Sequence, residues 1–146
     1  MLTRRFRNLA ALALTLSVAP LLLGCSSDDE GNGGTGPNAS DFVGTWNATD
    51  FVADGTDLVA AGVTIAFTFT ETTYAFAVTN DTNSVLCDPG VTTCGEGGSL
   101  ASTETTITFD PGSSDQVTFT YNVTGTVMTV SGTVDGTVIT ATFQEV

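Results

Sequence analysis

The chain has 146 residues with 16 acids, three basic side chains and no histidine, a formal charge of −13 at neutral pH. The bases, Arg4, Arg5 and Arg7, all precede residue 25, so from there onward 16 acids face no cation and the side-chain charge is −16. This excludes nucleic-acid binding through Lys and Arg, Ser-His-Asp and Cys-His catalysis, Schiff-base lysines and arginine phosphate clamps, and zinc held by histidine. Carboxylates, Tyr74, Tyr121 and hydroxyls are the remaining reactive groups. No acid falls in a recognisable motif, so no enzymatic activity is expected, although a glycosidase-type carboxylate pair remains open on composition alone.

In chain order, a basic opening is followed by residues 9–24, apolar and small and broken by Pro20. That is the layout of a secretory signal peptide, and it falls short of the ~20 apolar residues of a membrane-spanning helix. The run ends at Leu22-Leu23-Gly24-Cys25, which resembles a bacterial lipobox. The resemblance implies cleavage before Cys25, diacylglycerol on its thiol and acylation of the new amine. Two or three acyl chains anchor stably, because each buried methylene contributes ~0.8 kcal/mol. Ser26 resembles the outer-membrane class of Gram-negative sorting signals. Ser27-Asp28-Asp29-Glu30 resembles the acidic tag of surface-exported lipoproteins, or else simply begins a solvated linker. The expected address is the bacterial outer membrane, held by lipid on Cys25, facing the periplasm or the surface.

Residues 26–40 read SSDDEGNGGTGPNAS, the composition of a flexible tether. The expected division is therefore a signal peptide over 1–24, an acylated cysteine and disordered tether over 25–40, and one domain over 41–146. That last segment is long enough for its own core.

The domain reads as β throughout. Residues 63–69 alternate apolar and small polar side chains. Tyr74, Phe76 and Val78 continue the period, as do Ile107 and Phe109, then Val117, Phe119, Tyr121 and Val123. Met128 and Val130 follow, then Ile139, Ala141 and Phe143. Threonine fills many intervening places, which suits an exposed strand face. Turn signals fall at 79–83, 110–115, Thr124-Gly125 and Asp135-Gly136, the last a two-residue hairpin candidate. These features predict eight or nine antiparallel strands, closed as a barrel or stacked as a sandwich. Cys87 and Cys94 flank an Asp-Pro-Gly turn signal and, in an exported chain, are expected to form a structural disulfide.

Gly44-Thr45-Trp46, on the first strand, resembles the G-x-W signature of the lipocalin superfamily. Short bacterial lipocalin-like lipoproteins begin similarly, just after a tether. The resemblance implies a barrel in which Gly44 allows close backbone approach and Trp46 plugs one end. An inward set of Phe67, Phe69, Tyr74, Phe76, Phe119 and Tyr121 would then line a site for a small apolar ligand, neutral because no cation is present to hold an acid. The alternative is a barrel filled by these aromatics, acting as an envelope or surface module that contacts protein or glycan through the loop from Asp81 to Gly98. Asp54 with Asp57, and Asp110 with Asp115, offer oxygen ligands without calcium-loop spacing. No metal and no cofactor is expected.

Overall fold

A computed structural model describes residues 41–146. The signal segment 1–24, Cys25 and the tether to residue 40 lie outside the described residues. Nine strands follow in sequence: β1 (Gly44–Ala53), β2 (Thr56–Asp57), β3 (Thr64–Phe69), β4 (Thr73–Thr79), β5 (Cys94–Ser102), β6 (Thr106–Phe109), β7 (Val117–Thr124), β8 (Val127–Val134) and β9 (Thr137–Glu145). Each of β3 to β8 pairs antiparallel with the next, β1 pairs with β3, and β9 returns to pair with β1. The result is a closed eight-stranded up-and-down barrel. β2 is an extra two-residue rung on the far end of β1, opposite Val52 and Ala53. The sandwich alternative is set aside by the β1–β9 ladder, which runs from Trp46↔Glu145 to Ala53↔Ile139 and leaves no open sheet.

Binary pattern sets which face is in. Ile65, Phe67 and Phe69 of β3 stand beside Val78, Phe76 and Tyr74 of β4, so one register carries six apolar side chains inward. The outer wall is tiled with hydroxyls. Thr108 lies 3.0 Å from Thr118 across β6 and β7, and Thr120 lies 2.8 Å from Ser131 across β7 and β8. Apolar inside and hydroxyl outside is the reverse of a lipid-facing barrel. Two hairpins use paired left-handed residues, Asp54-Gly55 (φ 50° and 77°) and Asp135-Gly136 (φ 51° and 82°). That is the type I′ turn whose twist matches flanking strands.

The two ends differ. At one end the chain enters at residue 41, leaves at Val146, and makes the turns after β3, β5 and β7. Here Trp46 is fully buried, and its indole N–H donates to the Phe42 carbonyl at 2.7 Å. The Phe42 ring stands edge-on to both Phe69 (5.7 Å between centroids) and Tyr121 (5.6 Å). This end is plugged. At the other end lie the connections 58–63, 80–93 and 110–116 and the Asp135-Gly136 hairpin, which together form the mouth.

One expectation is corrected. The contact loop foreseen from Asp81 to Gly98 ends at residue 93, and Cys94–Gly98 form the first half of β5 against β4. A Cβ on Gly95 or Gly97 would press on the carbonyl of Phe76 or Tyr74, so glycine permits this close pairing. The Cys87–Cys94 disulfide is present, with Cα atoms 5.6 Å apart, and ties the loop to the start of β5.

Candidate functional site

Phenylalanine dominates the barrel interior. Phe67 lies within ring contact of Phe69 (5.4 Å), Phe76 (5.6 Å) and Phe143 (5.6 Å). Phe109 meets Tyr74 edge-on at 4.7 Å and Phe119 at 5.7 Å. Such pairs contribute about 0.5–1.5 kcal/mol each beyond area burial. Between the rings remains a cavity of about 100 Å³, bounded toward the plugged end by Phe69 and Met128 and toward the mouth by Leu86, Asp115 and Val134. Phe67, Phe76, Phe109 and Phe119 point inward yet stay only partly covered, so it is the cavity that exposes them.

Of the residues expected to line a site, Phe67, Phe69, Tyr74, Phe76 and Phe119 come together on this cavity. Tyr121 does not reach it. Its side chain belongs to the plug, with the phenol donating to the Thr103 carbonyl at 3.0 Å. Burial raises the Tyr121 pKa, aided by the charges of Asp41 and Glu104. Trp46 likewise sits in the plug and away from the lining. Gly44 adopts φ 147° beside Glu145, a conformation side-chain-bearing residues rarely take.

Sequence reasoning missed Phe109 and Phe143 as lining residues, although both follow the same inward alternation as their neighbours. It also missed a pair of acids, Asp110 and Glu96, with buried carboxylate atoms. Asp110, directly after β6 and only 8% exposed, accepts the Tyr74 phenol at 2.8 Å and the Ser99 amide at 3.1 Å. Gly98 makes this possible, because a Cβ there would collide with the Asp110 carboxylate and the Tyr74 ring. Glu96 occupies the inward register of β5 opposite Phe76. Its Oε1 is buried without a hydrogen-bond partner. Burial, and then the charge of Asp110, push the Glu96 carboxyl up to about 7. Burial, the hydrogen bond to Asp110 and the nearby charges raise the Tyr74 phenol far above its ordinary value.

The 80–93 loop lies at the mouth and brings Leu86 to the cavity, and Asp81 organises it. The Asp81 side chain is fully buried, and its carboxylate accepts the amides of Val85 (3.0 Å), Leu86 (2.7 Å) and Cys87 (2.8 Å). The Asp81 amide donates to the Thr92 carbonyl at 3.0 Å, which closes the loop at its base. Asp88-Pro89-Gly90 makes the outer turn, with Gly90 at φ 83° and the Val91 amide on the Asp88 carbonyl at 2.9 Å. Asp54 and Asp57 belong to the β1–β2 hairpin, and among the described residues no group of three or more side chains could hold a metal ion.

The class these features define is a closed antiparallel barrel with one plugged end, one mouth bearing the 80–93 loop and a small aromatic cavity between them. Compared with known protein families, curated proteins and solved structures, the chain finds no match.

Proposed function

We propose that this chain is a lipid-anchored extracytoplasmic lipoprotein, lipocalin-like in architecture, whose barrel binds a small, neutral, apolar ligand. The cavity of about 100 Å³ among phenylalanine faces is the observation that carries the reading. Its size sets the ligand class. A cavity of about 150 Å³ with a similar apolar lining takes benzene, so a single ring or a short chain is the scale that fits. No Lys, Arg or His occurs from residue 25 onward to hold an anionic group. Binding, and not catalysis, is the proposed activity, because the groups around the cavity are overwhelmingly hydrocarbon.

The anchor is proposed on Cys25 and the site of action at the outer membrane. Residue 41 enters at the plugged end, so the tether from Cys25 joins the barrel on the side opposite the mouth.

Native mass spectrometry on protein from its own membranes, released by cleavage within the tether, tests the proposal. The expected result is a reproducible extra mass on the folded domain that is lost on denaturation. A bare polypeptide mass, two hydrogens short for the disulfide, favours instead a filled barrel that acts on envelope or surface protein or glycan through its mouth loops.

A further inference from the structure

We propose that Leu86 is the residue that sets which ligands the cavity admits, and that the loop carrying it is a latched cap over the barrel mouth. This rests on the ligand-binding reading above and extends it from the cavity to its access.

Three observations converge on Leu86. First, it is the single residue of the 80–93 loop on the cavity surface; the other lining residues come from the barrel strands or the 110–116 connection. Second, its backbone is held from both sides. Its own amide and those of Val85 and Cys87 bind the buried Asp81 carboxylate, and the next residue is covalently joined to β5. A loop that merely connected two strands would need no such fastening. Third, the opposite end cannot serve as an access route, because Trp46, Phe42 and Met128 are buried completely there. A ligand therefore reaches the phenylalanines past the mouth, and Leu86 is the cap's apolar side chain in its path.

The latch explains why a glycine- and proline-containing loop holds one side chain in one place. Asp81 fixes the direction of three consecutive amides. The disulfide prevents residue 87 from swinging away from β5. Together they make Leu86 part of the wall, so its volume is subtracted from the cavity. Leucine at this position restricts the site to ligands of one ring. A smaller residue opens room for a second ring, and a larger one closes the space.

The test uses the full chain carrying Cys25→Ser, so that no covalent acyl chain competes for the cavity. Benzene and naphthalene are the probes, with binding followed by methyl NMR and folding followed by Trp46 fluorescence. The parent is expected to bind benzene and to reject naphthalene. Leu86→Ala should improve naphthalene affinity relative to benzene at least tenfold. Leu86→Phe should weaken benzene at least tenfold. Cys87→Ser with Cys94→Ser, which releases one side of the latch, should speed benzene exchange at least tenfold. If benzene binds parent and variants alike and naphthalene affinity is unmoved by Leu86→Ala, the role of Leu86 is overturned and the cavity reading stands. If folded parent and folded Leu86→Ala bind neither probe, the cavity reading itself falls. The Leu86→Phe variant guards against a folding artefact, because it adds volume at a position already partly open to solvent.

Discussion

Glu96 is the residue whose placement is hardest to reconcile with stability alone. Its carboxyl titrates near 7 in the folded barrel against an ordinary 4.5, so between those values the folded state holds a proton that the unfolded chain has released. Stability therefore falls as pH rises from about 4.5 to about 7, and the penalty is complete above that window. The side chain is only half-buried, so screening by solvent reduces the effect to about 1 kcal/mol. Glu96→Gln is expected to stabilise the protein by that amount at pH 8 and to change nothing at pH 4. Urea denaturation of both proteins at the two pH values measures it. An equal gain at both pH values would mean that something other than titration is responsible. At this scale the sequence hides what the fold reveals. Glu96 stands between Gly95 and Gly97 with Gly98 beyond, and no side-chain alternation there says which way it points.

The same glycines explain what could and could not be read at the level of elements. The strands rich in alternating aromatic and β-branched residues were legible, since Thr64–Phe69 and Val117–Thr124 keep a clean period of two. The Asp135-Gly136 turn was legible because only a few residues tolerate two successive left-handed positions. The opening of β5 was not legible. A run of Gly, Glu, Gly and Gly has little strand propensity, and pairing with β4 supplies what local preference lacks. The cap was legible as a disulfide loop but not as a cap, because nothing in a lone aspartate at 81 announces three amide partners. Asp81→Ala would leave those amides without an acceptor. We expect a loss of about 2 kcal/mol, softened by access to water, together with faster hydrogen exchange confined to residues 85–87. Exchange that accelerates uniformly across the barrel would show instead that Asp81 supports the whole fold.

For the whole molecule, the charge distribution and the barrel divide the labour. Acids cluster in the connections, while the strand walls carry hydroxyls, so self-repulsion keeps the domain dispersed without charging the sheet surface. Closure removes the terminal edges of the sheet, leaving the two-residue β2 and the Cys94–Gly98 half of β5 paired on one side only. If the anchor is the lipid on Cys25, Cys25→Ser should abolish incorporation of labelled palmitate while leaving the barrel intact. Radiolabelling with circular dichroism checks both halves of that expectation, and a variant that still takes up the label would locate the acylation elsewhere. The number of alternating segments was legible, but their closure was not, because alternation suits a barrel and a sandwich alike; the distinction between plug and mouth was hidden too, because Phe42 precedes the first strand and only its burial shows what it does.

The seam between β1 and β9 has a mechanical meaning. Both strands reach the plugged end as antiparallel neighbours, with Trp46 opposite Glu145 and the Val146 amide on the Thr45 carbonyl at 3.0 Å. Tension drawn between residues 41 and 146 thus peels the ladder one bond at a time, as a zipper opens. Tension between residue 41 and the Asp135-Gly136 hairpin at the mouth must shear several strands together. The barrel is weakest against a pull drawn between residues 41 and 146.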